Sequence, residues 1–318
     1  MQKRNNIIPV LLLLAFCSGN LFAQDPEFTQ FYANPLYLNP AMAGIVRCPR
    51  VNLNYRNQWP GISGTYVTYA ASYDQHVDAV NGGLGLLVTN DKAGQGTLTT
   101  STVSGIYSYL LNVTREFSLK FGVQASCFQK SIDWSKLTFG DMIDERKGFV
   151  YNTNEQQRLQ NKTNVDFSAG ILGYCKKYFF GFAAHHLTEP DEGLLGVSKL
   201  PMKITAHAGA VLPIGDKGTQ TFISPNVLYQ QQQNFQQLNL GMYVTKGTIT
   251  AGLWCRNQDS FIAVIGFQNH FFKVGYSYDV TISKLTNTTA GSHELSFSIQ
   301  FECRQVKKNY RPVICPSF

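Results

Sequence analysis

The chain has 318 residues, of which 44% are hydrophobic, 13% aromatic and only 15% charged, with a formal net charge of +7. That length suits one large β domain or two ordinary ones. The absence of a dense Lys/Arg cluster with interleaved aromatics argues against nucleic acid as a partner, and no segment after Ala23 reaches the roughly 18 consecutive apolar residues of a helical membrane span.

In chain order, Lys3 and Arg4 precede an apolar run over residues 7–16 and the small-residue site Leu21-Phe22-Ala23. This is the anatomy of a secretory signal peptide spanning 1–23. A lipoprotein signal ending at Cys17 is the weaker reading, because bulky Phe16 stands just before the cysteine. Loss of Lys3 and Arg4 lowers the formal charge from +7 to +5. The remaining surplus fits anionic head groups or an acidic partner, and equally a solvated lysine-rich surface.

Residues 24–50 hold four prolines, three of them before residue 45, and a helix-like spacing of Phe28, Phe31 and Tyr32, which predicts an ordered aromatic segment rather than a strand. Such a segment has to pack against something, so it is expected on or in the mouth of the following domain.

From residue 51 onward the dominant signal is alternation with a period of two. Phe117, Leu119, Phe121, Val123, Ala125 and Cys127 share one side of a strand, opposite Ser118, Lys120, Gly122, Gln124 and Ser126. The pattern returns at 272–280 and 295–302. Each ribbon is about ten residues long, the length of a tilted membrane-crossing strand. Strands are expected over 51–58, 65–74, 83–90, 97–111, 116–130, 164–176, 178–187, 203–212, 220–230, 235–245, 248–256, 260–269, 271–280 and 292–302, about fourteen in all.

Alternate connections are short, at 113–115, 176–177, 215–219, 246–247 and 270, while the intervening set includes the long segments 131–163, 188–202 and 281–291. Short turns at one end and long loops at the other mark an all-β transmembrane outer-membrane barrel of antiparallel strands, 51–303, with a tail 304–318. The short end then faces the periplasm and an even strand count places both termini there. A soluble β-sandwich explains the alternation but not the loop asymmetry.

Signals for chemistry are weak. His185 and His186 are adjacent, so in a strand they point to opposite faces. His-Glu-x-x-His and paired Cys-x-x-Cys spacings are missing, so no metal, cofactor or enzymatic activity is expected. Asp141, Asp144 and Glu145 read as a charged surface loop. Cys127, Cys175 and Cys255 lie within strand patterns as small apolar fillers. Cys48, Cys303 and Cys315 flank the first and last strands and are the candidates for a disulfide, whose connectivity the sequence leaves open.

Three stretches together resemble the PorP/SprF family of outer-membrane proteins in type IX secretion and gliding: Phe28-Thr-Gln-Phe-Tyr-Ala-Asn-Pro-Leu-Tyr-Leu-Asn-Pro-Ala-Met-Ala-Gly44, Tyr55-Arg-Asn-Gln-Trp-Pro-Gly61 and Gly83-Leu-Gly-Leu-Leu-Val-Thr-Asn-Asp91. The resemblance implies a barrel that works with the periplasmic ring and lipoprotein subunits of this exporter. It also implies contact with secreted cargo bearing a C-terminal sorting domain. Within these stretches Arg56, Trp59, Asn39, Pro40 and Asp91 stand out as candidate partner-binding residues. A guanidinium near an indole can engage a partner; the plainer reading puts Trp59 in an interfacial girdle and Arg56 in the wet lumen. The competing function is an outer-membrane transport barrel, or porin, for small or apolar solutes.

Overall fold

The computed structural model describes residues 25–62, 64–144, 146–155, 159–194, 196–215, 221–257, 259–282 and 290–302. Fourteen long strands follow one another: β1 (Arg50–Gln58), β2 (Tyr66–Val77), β3 (Gly82–Ala93), β4 (Leu98–Asn112), β5 (Ser118–Ile132), β6 (Asn161–Tyr174) and β7 (Tyr178–His185), then β8 (Lys203–Ala210), β9 (Thr221–Gln232), β10 (Phe235–Lys246), β11 (Ile249–Arg256), β12 (Ser260–Gln268), β13 (Phe272–Thr281) and β14 (Ser292–Gln300). Each pairs antiparallel with its sequence neighbours. The pairing of β1 with β14, from Arg50 opposite Gln300 to Gln58 opposite Ser292, closes the cylinder.

Alternation decides which face goes where. On β5 the buried Ser118, Lys120, Gly122 and Ser126 point inward, and the exposed Phe121, Val123, Ala125 and Cys127 point outward. The outer wall is apolar throughout: Leu253 is 70% exposed, Ile265 60% and Val123 56%. Soluble proteins rarely show contiguous apolar patches above a few hundred Å², so a belt of this kind belongs against hydrocarbon. Of the three cysteines expected as fillers, Cys127 and Cys255 sit on this outward face as free thiols, and Cys175 lies just past the end of β6.

The loop asymmetry holds with exceptions at both ends. The β3–β4, β9–β10 and β11–β12 connections at the long-loop end have only four, two and three residues, and the β8–β9 connection at the short-turn end has ten. The β5–β6 loop carries its own small hairpin, Ile143–Asp144 with Gly148–Phe149.

Below its long-loop mouth the lumen is filled. Residues 25–49 run down its length, with one α-helical turn, α1 (Pro35–Leu38), and a 3-10 turn at Pro40–Met42. The helical turn therefore starts at Pro35, whose fixed φ suits a first helical position, and not across Phe28–Tyr32 as the aromatic spacing suggested. Phe31, Tyr32, Leu38, Met42 and Ile45 pack against Leu172, Phe179, Leu228, Tyr243, Trp254 and Ile262 of the wall. Each such side chain contributes about 1.5–3 kcal/mol when fully buried, so the segment is held like a core element.

This path separates Asp25 from the first and last strands' short-turn ends. Arg50 and Gln300 do share the short-turn end. Asp25, however, lies beside His186, Lys203 and Gln232, at the long-loop end of β7, β8 and β9. The expectation that both termini sit at one end thus fails at Asp25, because the segment before β1 spans the barrel.

Candidate functional site: a plugged lumen and its vestibule

The plug is fixed at three levels, each by polar wall residues that the strand alternation turns inward. At the short-turn end, the carbonyl of Ala43 accepts hydrogen bonds from Ser108 Oγ at 2.7 Å and from Lys120 Nζ, and Gly44 N–H donates to Asp74 Oδ2 at 2.9 Å. Asp74 is itself held by a bidentate Arg50 at 3.0 and 3.1 Å. Gly44 has φ +60°, in the region that favours glycine, and a Cβ on Gly83 would collide with the carbonyl of Ala43. One recognisable sequence stretch is therefore the seat of another.

Nearer the long-loop end, two residues from the ends of β1 and β14, Glu294 is the anchor. It accepts from Thr29 N–H at 2.6 Å, Thr29 Oγ1 at 2.7 Å and Gln30 N–H at 3.2 Å, while Gln30 Nε2 donates to its carbonyl at 3.1 Å. Arg56 lies 3.5 Å from Glu294 and 3.5 Å from Asp279; Asp279 also pairs with Arg256 at 3.3 Å, and Arg256 reaches Glu27 of the plug at 3.6 Å. All four wall charges are buried, so they stand as a network that only mutual compensation makes tolerable.

Asn39 is fully buried. Its Nδ2 donates to the carbonyls of Ile171 and Phe182 at 3.1 and 3.3 Å, and its Oδ1 accepts from Ala41 N–H at 2.9 Å. Pro40 is buried beside it, against the gap left by Gly122.

At the long-loop end, His186 bridges the plug to the wall through Asp25 at 2.8 Å and Asp166 at 2.7 Å. Burial works against a charge on His186, but the two carboxylates outweigh it and raise its pKa to about 10. Burial likewise opposes the Asp25 carboxylate, and the charges of His186 and Lys203 hold it well below the usual range. His185 and His186 do not face opposite ways: β7 ends at His185, His186 takes a left-handed φ of 58°, and both line the same cavity.

Above the plug the lumen opens into a vestibule of about 810 Å³, closed below by Asp25, Pro26, Glu27 and Tyr37. Trp59 and Asp91 both line it; Trp59 stands edge-on to Tyr66 with centroids 6.0 Å apart, and Asp91 Oδ1 accepts from Thr68 Oγ1 at 2.6 Å. Of the sequence candidates, the structure thus gathers Trp59 and Asp91 at the vestibule, sets Arg56 in the Glu294 network, and buries Asn39 and Pro40 in the plug seat. Cys48 is disulfide-bonded, whereas Cys303 and Cys315 lie outside the described residues.

Asp141 and Asp144 serve their own loop. The first accepts from Thr153 Oγ1 and Asn154 N–H, and the second from the N–H groups of Arg146 and Lys147 and from Tyr151 OH. Among the described residues no cluster of three or more His, Cys, Asp or Glu side chains is placed to hold a metal. Sequence reading passed over Glu294, Asp279, Arg256 and Lys120. Their signal was a charge at an inward position of a strand.

The family described as type IX secretion system membrane protein PorP/SprF matches residues 20–299. No curated protein matches. Among solved structures, the Ralstonia pickettii toluene transporter TbuX aligns with a TM-score of 0.50 at 10% identity, covering 84% of this chain and 93% of that one. A Pseudomonas aeruginosa FadL homologue aligns at 0.47 with 13% identity over 91% and 97%, and the P. putida toluene transporter TodX at 0.47 with 8% identity over 83% and 93%. At such identities the likeness is one of outer-membrane barrel fold.

Proposed function

Because the chain belongs to the PorP/SprF family of type IX secretion system membrane proteins, we propose that it acts in the outer membrane as a non-enzymatic docking and assembly component of that machine. On this reading it joins periplasmic ring and lipoprotein subunits to the export or surface attachment of cargo bearing a C-terminal sorting domain, and serves gliding where the machine does. The family match carries the assignment. What supports docking over conduction is the plug, which fills the lumen with a packed core and a buried ionic network.

We orient the barrel with its short turns in the periplasm, as outer-membrane barrels are built. That end presents exposed Arg115, Lys176, Lys177 and Lys246, a cationic face suited to an acidic surface on a machine subunit. Affinity purification of the tagged protein from outer membranes in gentle detergent, followed by mass spectrometry, tests this. Enrichment of periplasmic secretion subunits is expected, with loss when the four cations are reversed to Glu. Recovery of the barrel free of any secretion subunit overturns the reading.

A transport barrel for small or apolar solutes is the second reading, favoured by the 810 Å³ vestibule. It requires a path past the plug, and solute uptake into liposomes distinguishes it.

A further inference from the structure

The vestibule wall built by β2 to β6 carries a run of hydroxyl side chains, set among Leu87, Leu98 and Phe128, that plugging does not require. Strand register sets its inward residues in cross-strand rows. Thr68 lies opposite Asp91 and Asp91 opposite Thr100; Thr89 lies opposite Thr102, and Ser104 opposite Ser126. Neighbouring strands are about 4.8 Å apart, so these side chains form a mesh of hydroxyls at close, regular spacing. Hydroxyls both donate and accept. Gln124 adds an amide whose Oε1 is buried without a hydrogen-bond partner among the described residues.

The charges around this mesh are mostly answered by their neighbours. Lys130 is paired with Glu192 at 2.7 Å, Lys203 with Asp25 at 3.7 Å, and His186 with Asp25 and Asp166. Asp91 differs: among the described residues it has the Thr68 hydroxyl and no ion-pair partner. It stands one inward position from Tyr66, whose ring meets that of Trp59 at the rim. The wall thus combines neutral donors and acceptors, one carboxylate acceptor and an aromatic pair.

We propose that this vestibule binds a neutral, hydroxyl-rich ligand, a short saccharide, with its hydroxyls on the β2–β6 mesh and Asp91 and an apolar C–H face against Trp59 and Tyr66. The volume, about 810 Å³, falls within the roughly 300–1,000 Å³ of small-molecule sites. An apolar solute would offer no partner to Gln124 Oε1, which is buried without one among the described residues. An anion would meet the Asp91 carboxylate with every nearby cation already engaged. This site is independent of the secretion reading and stands or falls separately from it.

Full-length protein in detergent is titrated with maltotriose, cellotriose and triacetylchitotriose by calorimetry, with toluene and tetraethylammonium as comparison probes. At least one neutral trisaccharide is expected to bind saturably. Asp91→Asn and Thr102→Val are each expected to weaken it about tenfold or more, and Trp59→Phe to change its fluorescence response. Heat-modifiable mobility on gels shows that each variant keeps its barrel, and Val123→Ala on the outer wall serves as a control that leaves binding unchanged. The proposal is overturned if none of the three sugars binds, if binding survives both wall substitutions in folded protein, or if only toluene or the quaternary amine binds.

Discussion

Glu294→Gln isolates the plug anchor with a change of almost no volume. In the native protein the Glu294 carboxylate accepts three hydrogen bonds from Thr29 and Gln30 and faces Arg56 at 3.5 Å. The amide keeps one acceptor, presents an N–H group towards the Thr29 N–H, and leaves Arg56 and Arg256 to share Asp279. Removing one member of a buried ion pair costs about 3–5 kcal/mol. At 1.4 kcal/mol per factor of ten, plug opening should become more populated by about 100- to 4,000-fold. The barrel's strand pairing does not pass through this contact, so the cost falls on the plug. Hydrogen–deuterium exchange reads it directly, since the N–H groups of Thr29 and Gln30 are the donors. Faster exchange over residues 28–45 is expected, with β4, β5 and β6 as protected as before. Unchanged exchange at Thr29 and Gln30 in a folded variant would refute the anchor.

The His186 latch gives a pH dependence of fixed sign. Its pKa is raised from the ordinary 6.5 to about 10, so its contribution is full below 6.5 and is lost as pH rises through 10; the lowered Asp25 keeps its own contribution down into acid. Protection factors, corrected for the intrinsic rise of amide exchange with pH, should therefore fall around residues 25–27 between pH 7 and 10, and His186→Gln should abolish that fall. Gly122→Val forces a side chain into the backbone of Pro40 and Ala41, and a displaced plug with barrel stability down by at least 1–3 kcal/mol is expected in chemical denaturation. In intact cells a cysteine replacing Val197, which is 83% exposed in the β7–β8 loop, should react with an impermeant maleimide. One replacing Lys176 in the β6–β7 turn should react only after the outer membrane is permeabilised; the reverse pattern would invert the orientation.

The barrel was legible because its information is local. An alternating strand such as 117–127 names its own outward face, and all fourteen strands fall where that period places them. The plug was legible only as an ordered segment. Its path depends on contacts such as Thr29 to Glu294, 265 residues apart, which no window of sequence contains. The same limit hid the meeting of Gly44 with Gly83. His185 and His186 were assigned to opposite faces because alternation was carried one residue too far, past the strand end where φ turns positive. Lys120, Asp279 and Glu294 were readable in principle: a charge on the inner face of a narrow barrel demands a partner, and the N-terminal segment was the available one.

Conductance of the purified protein in planar bilayers tests the central claim most directly, that the chain's own N-terminal segment closes the barrel. The account predicts a silent baseline for the wild type and intermittent openings for Glu294→Gln. A stable ohmic pore in the wild-type protein would contradict it.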